Sequence, residues 1–147
     1  MANQILEDEL ENISIQPIAL ELLRDDLLPD LLGKEAGQIL YWAGKSLARR
    51  YPLDSIEAVF DFFEKACWGT LKVTEQKKRE MHFELTSPFI SKRFQNKQST
   101  TYQLEAGFLA EQIQQQRQVI AETYEDQKKR TEIVHFIVQW DPSDILE

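Results

Sequence analysis

The apolar positions of this 147-residue chain change period three times, and each change marks a change of element. In the first half they recur every three to four residues. Ile18, Leu22, Leu23 and Leu27 follow one helical stripe that opens at Pro17 and ends near Pro29. Residues 33–51 form the clearest helix, with Ala36, Ile39, Leu40, Ala43 and Leu47 as its core stripe and Pro52 as its stop. Gly33, Gly37, Gly44 and Ala48 give this helix a second face of small residues. Each interior glycine costs about 1 kcal/mol against alanine, so that face is expected to meet another backbone closely. Two occupants are open: a helix over 101–117 of the same chain, with its own Gly107 and Ala110, or the equivalent helix of a second copy.

A third helix is expected behind a capping box of Asp54 and Glu57, with Ile56, Val59, Phe60, Phe63 and Cys67 as its apolar stripe and Gly69 as its C-cap. The period then falls to two. Leu71 and Val73 alternate with Lys72 and Thr74, and after a turn at Gln76–Lys78, Met81, Phe83 and Leu85 alternate with Glu80, His82 and Glu84. This predicts a β-hairpin with one buried and one wet face. Residues 87–98 read as irregular or a short helix. Thr100 and Gln103 predict a cap for the helix over about 101–117, whose inner face is Tyr102, Ala106, Leu109 and Ile113. Strands near 118–125 and 131–139, joined by a turn at 126–130, close the chain. The pattern predicts an α+β domain, helices packed on a four-stranded antiparallel sheet made of two hairpins. It spans residues 17–147 and follows an acidic N-terminal arm over 1–16.

Composition narrows the function more than the fold. Hydrophobic residues make up 42%, enough for a packed core, and the formal net charge is -8. An acidic surface disfavours sequence-independent binding to nucleic acid or an anionic membrane. No run of about 18 uncharged apolar residues is present, the N-terminus has no basic start, and Cys67 is the one cysteine. A reducing, cytoplasmic setting is expected, with no disulfide and no paired-cysteine metal site.

Catalytic chemistry finds little to stand on. No Gly-x-Ser-x-Gly elbow or Gly-rich phosphate loop occurs. Cys67 falls on the apolar stripe of its helix and reads as a buried, inert thiol. His82, Glu80 and Glu84 share the wet face of one strand. They are the one set a hydrolase, transferase or metal site would draw on, but they read as an exposed, charged sheet face. His135 has only Glu132 nearby, pointing to the other face. Residues 69–100 hold seven Lys/Arg against three Glu, a basic segment (Lys72 to Lys97) that reads as solvated surface. No metal, no cofactor and no catalytic residue is expected. The aromatics exceed what single helical stripes bury. Tyr41, Trp42, Phe60, Phe63, Trp68, Tyr102 and Phe108 are therefore candidates for an apolar pocket or an interface.

Three stretches carry a resemblance: Tyr41-Trp42-Ala43-Gly44-Lys45 through Leu53, Trp68-Gly69-Thr70-Leu71, and Gln103 through Gln114. With Tyr124-Glu125 and Lys128-Lys129-Arg130 they closely resemble the YslB family of Gram-positive bacteria, a family of unknown function, from about Pro17 to Pro142. Leu104-Glu105-Ala106-Gly107-Phe108-Leu109 is more distantly similar to a superfamily of vinyl-reductase-type small-molecule-binding domains, Bet-type subunits of TRAPP tethering complexes and haem-based nitric-oxide sensors. That likeness implies an apolar cavity between helices and sheet and pairing through helices. The chain has no cysteine around its last hairpin and no histidine on a helix, so neither a metal role nor haem ligation is implied with it. The expected function is a non-enzymatic module binding a small apolar ligand or a protein partner. The alternative is a structural homodimer with a filled interior.

Overall fold

The computed structural model describes residues 9–146; residues 1–8 of the expected acidic arm lie outside the described residues. The observed order is α1 (Pro17–Glu21), a π-helical run (Leu22–Leu27), α2 (Leu28–Leu32), a 3-10 turn (Gly33–Glu35), α3 (Ala36–Arg50), α4 (Ile56–Lys65), β1 (Thr70–Gln76), β2 (Glu80–Thr86), α5 (Pro88–Gln95), α6 (Gln103–Arg117), β3 (Val119–Lys128) and β4 (Ile133–Ile145). The sheet is antiparallel throughout, in the order β1-β2-β4-β3. The two hairpins therefore join through β2 and β4, where Phe83 stands opposite Phe136 and Leu85 opposite Val134. The inward positions Leu71, Met81, Phe83, Leu85, Val134, Phe136 and Val138 are all buried, as the period-two pattern requires. The last hairpin is longer than expected: its strands reach Lys128 and Ile145, and its turn shifts to residues 129–132.

Helix α6 is the centre of the molecule. Every residue from Glu105 to Ile113 is buried, since the sheet lies on one side of the helix and α3 on the other. The polar ones find distant partners. Gln112 accepts from Leu53 N at 3.1 Å and donates to the Tyr51 carbonyl at 2.8 Å, fixing the α3–α4 connection. The helix starts at Gln103, not behind a Thr100 capping box. Glu125 of β3 accepts from Tyr102 N (3.1 Å), placing a carboxylate at the positive helix end.

Four local readings are corrected. The N-cap of α4 is Ser55, accepting from Ala58 N at 3.1 Å, in place of Asp54. Cys67 is exposed. Its backbone is left-handed (φ 60°), with Trp68 N bonded to the Phe63 carbonyl and Cys67 N to the Glu64 carbonyl. That pairing ends the helix before Cys67 can extend its stripe, so the left-handed position falls on Cys67 and the C-cap on Ala66, not on Gly69.

The third correction concerns the N-terminal helices. Leu28 N bonds to the Leu23 carbonyl, five residues back, and this widened turn carries the helix past Pro29, which has no N–H to give. The inward row becomes Leu20, Arg24, Leu28 and Leu32, with Glu21 and Asp25 beside it. The expected apolar stripe turns outward: Ile18 is 65% and Leu22 47% exposed. The fourth lies on α3, where Ile39 is exposed and the deepest positions are Gly44 and Ala48.

Candidate functional site

Among the described residues, the helical layer is bordered by several depressions. One of about 430 Å³ is lined by the mainly polar, exposed stretch Phe94, Lys97–Thr100, Gln127 and Lys129, and one of about 250 Å³ lies between α2, α3 and residues 99–101. A third, about 170 Å³, is smaller, but most of its wall is apolar. Leu20, Leu23 and Leu28 come from the N-terminal helices, Leu40 from α3, Ala66 and Trp68 from the end of α4, Phe89 from α5 and Leu104 from α6. Cys67 also reaches it. A mainly apolar hollow at the meeting of several elements is the usual form of a small-molecule site.

Local chemistry explains why these residues converge. Ser87 caps α5 by accepting from Ile90 N at 3.0 Å, with Pro88 in its first turn, and this aims Phe89 and Arg93 at the N-terminal helices. The left-handed Cys67 reverses the chain and lays Trp68 against the core, edge-on to Phe63 at 5.0 Å and Phe108 at 5.2 Å. Phe62 stacks on Phe108 at 4.6 Å. Burying each such ring stabilises the fold by about 2–3 kcal/mol, so the wall that Trp68 offers is rigid.

The polar part of the cavity is an ion cluster. Arg24 meets the fully buried Glu105 with both terminal nitrogens, each at 2.6 Å. Arg93 holds Asp25 through Nε at 3.0 Å, Glu21 through Nη2, and donates to the Tyr102 hydroxyl at 3.3 Å. The two guanidinium groups lie over the Tyr102 ring, 5.5 and 5.8 Å from its centroid. Burial and the hydrogen bond with Glu21 push the Asp25 carboxyl up to about 6. Burial acts on Glu21 in the same sense, but its bond with Asp25 and the Arg93 charge outweigh it and hold it below the usual carboxylate range.

Of the aromatic candidates, Trp68 lines the cavity, and Phe63 and Phe108 support it from the core. Phe60 packs half-buried against the same core. Tyr102 lies between the arginines. Tyr41 and Trp42 are elsewhere: the Tyr41 hydroxyl accepts from Thr123 N at 3.0 Å and donates to Glu122, tying α3 to β3, while Trp42 is 61% exposed. Sequence reasoning missed Glu21, Arg24, Asp25 and Arg93. The signal was present in the four-residue spacing of Leu20, Arg24, Leu28 and Leu32, a period between those of the α- and π-helix.

The outer face of the sheet carries His82 and His135, with Nδ1 of the first and Nε2 of the second 3.0 Å apart and Glu80 on the other nitrogen of His82. Burial and the neighbouring His82 lower the pKa of His135. Its strand partner across β2 is Glu84, and across β3 Asp126, so it has carboxylate neighbours that sequence reasoning did not assign. Among the described residues no three His, Cys, Asp or Glu side chains gather to hold a metal ion, and no helix is long and apolar enough to cross a membrane.

Residues 18–139 match the family model described as "Protein of unknown function (DUF2507)". The uncharacterised protein YslB of Bacillus subtilis (strain 168) is 48% identical over 137 residues, 93% of each chain. Among solved structures, a vinyl-4-reductase family protein from Methanocaldococcus jannaschii is similar at a TM-score of 0.66 and 17% identity, over 92% of this chain and 88% of that one. An Fe(II) unliganded H-NOX protein mutant from K. algicida follows at 0.52 and 15%, over 88% and 76%. A trafficking protein particle complex subunit 3 from Naegleria fowleri aligns at 0.47 and 11%, over 88% and 91%. At these identities the solved structures bear on the fold alone.

Proposed function

The chain belongs to the DUF2507 family of proteins of unknown function, and from that premise we propose that it is a non-enzymatic binding module whose site is the 170 Å³ cavity beside Trp68. The observation that carries this reading is a hollow walled mainly by apolar side chains, Leu20, Leu23, Leu28, Leu40, Phe89 and Leu104. The hollow opens to solvent beside the exposed Cys67 and Leu23, so a small molecule can enter it while its apolar wall leaves water. The cavity's charged groups hold one another, which leaves no free base or nucleophile pair to act on a bound molecule. The module is one domain over residues 17–147 carrying an acidic arm over 1–16, in the cytoplasm, acting without metal or cofactor.

Native mass spectrometry of the protein isolated from its own cells tests this. The expected spectrum contains a species heavier than the bare chain, and Leu104→Trp, which fills the hollow, removes it. Bare chain alone, with no response of Trp68 to added apolar probes, overturns the reading.

A second reading, a homodimer through helices, rests on a different observation. The outward row of Ile18, Leu22 and Leu31 is exposed, Leu31 by 77%, and Trp42 is exposed on α3. The glycine face of α3 gives this reading no support, because α6 of the same chain fills it. Sedimentation at high micromolar concentration tests the dimer, with Leu22→Glu as the disrupting variant. A monomer under those conditions removes it.

A further inference from the structure

We propose that the cavity takes an uncharged apolar molecule, a single ring or a short chain, and rejects a carboxylate or phosphate of the same size. This deepens the binding reading above and rests on it. Two arginines line the hollow, and arginines in an apolar pocket ordinarily select an anion. Here both are already engaged. Arg24 donates a hydrogen bond to Glu105 Oε1 and ion-pairs with its Oε2, each at 2.6 Å, and Arg93 is divided among Glu21, Asp25 and the Tyr102 hydroxyl.

An anion entering the cavity must displace one of those carboxylates, and each is held in a partly or fully buried place. Glu105 is 0% exposed and the Asp25 side chain 5%. Stripped of its partner, Asp25 or Glu105 is left as an uncompensated buried charge, which costs more than an equivalent bond to the newcomer returns. The charge balance points the same way, with Glu21, Asp25 and Glu105 set against Arg24 and Arg93. Taken with the acids that hold them, the two arginines leave no net positive charge to attract an anionic head group. An ammonium is rejected as well: it loses its hydration on entry, and the carboxylate oxygens that would replace that hydration already face guanidinium groups.

Size follows from volume. An apolar cavity of about 150 Å³ holds a benzene-sized guest, and this one measures about 170 Å³.

The test uses matched sets on the full chain near neutral pH: toluene, benzyl alcohol, benzoate and benzylamine, then 1-hexanol, hexanoate and hexylamine. The readouts are the Trp68 indole N–H resonance and the melting temperature. The neutral members are expected to bind at least about tenfold more tightly than the charged ones. A carboxylate or an amine that binds as tightly as its neutral counterpart overturns the inference while leaving the cavity reading in place. If no member shifts Trp68 in protein that melts cooperatively, the cavity reading falls, and the inference with it. Glu21→Gln supplies the second arm. It frees part of Arg93, so the benzoate-to-benzyl-alcohol affinity ratio is expected to rise about fivefold or more. An unchanged ratio overturns the claim that the acid cluster causes the rejection.

Discussion

Gly44 of α3 and Gly107 of α6 face each other's helix, and each directs its missing side chain onto the other's backbone. A Cβ on Gly44 would overlap the Leu104 carbonyl oxygen and stand 2.7 Å from Phe108 N. A Cβ on Gly107 would overlap the Tyr41 carbonyl oxygen and stand 2.8 Å from its carbon. Backbone cannot move aside as a side-chain tip can. Gly44→Ala and Gly107→Ala are therefore each expected to cost about 1–3 kcal/mol or more by urea unfolding, with the sedimentation coefficient of the folded fraction unchanged. A glycine variant that keeps its midpoint but changes oligomeric state would transfer this face to a second copy.

The pair of Arg24 and Glu105 invites a double-mutant cycle. Removing one partner leaves a charge in a place where Glu105 has no exposure at all. Arg24→Met alone and Glu105→Leu alone are each expected to cost about 3–5 kcal/mol, and the double variant much less than their sum. Additive losses in chemical denaturation would mean that the two side chains do not depend on each other.

The sheet was legible because alternation is strict there. Met81, Phe83 and Leu85, then Val134, Phe136 and Val138, state their own face at every step. Helix α6 was legible as a helix but not as the centre. Glu105, Glu111 and Gln112 read as solvent-facing, and only Arg24, Arg49 and the Tyr51–Leu53 backbone, more than 50 residues away in sequence, make their burial tolerable. The cavity was half legible. Trp68 stood out as a surplus aromatic, but its other walls belong to a helical run whose inward face is set by a π-turn, and a 3.6-residue template assigns that face to the wrong side.

Cys67 gives a prediction that separates the folded protein from the reading of its sequence as a core thiol. Its side chain is exposed and reaches the cavity. In native protein, a disulfide reagent such as dithionitrobenzoate is expected to titrate about one thiol per chain without denaturant, since access limits the reaction of a lone thiol. A neutral apolar guest beside it should slow that reaction. A thiol that reacts only after unfolding would return Cys67 to the interior.

The Glu21–Asp25–Arg93 cluster makes stability depend on pH in a direction opposite to that of an ordinary ion pair. Asp25 holds its proton more firmly in the folded chain, up to about 6, than in the unfolded one, because burial and the bond with Glu21 favour the protonated form. A group raised in this way binds more protons folded than unfolded between its two pKa values. Its contribution therefore grows as pH falls from about 6.5 towards 4 and is lost as pH rises through 6. Glu21 is shifted the other way, so its contribution is present above its ordinary value and declines only below about 4.5. Between about pH 4.5 and 7 Asp25 favours the acid end while His135, lowered by burial and His82, favours the other, so the Asp25 contribution is read as the difference between wild type and Asp25→Asn. The size is of order 1–2 kcal/mol after allowing for the coupling of the two carboxyls. Asp25→Asn carries the amide in place of the protonated acid. It should raise the urea midpoint near neutral pH and flatten the pH profile over this window, with Glu21 still bonded to Arg93. A wild-type midpoint that rises steadily from pH 5 to 7, with an Asp25→Asn profile parallel to it, would show that the Asp25 carboxyl is not raised in the folded chain.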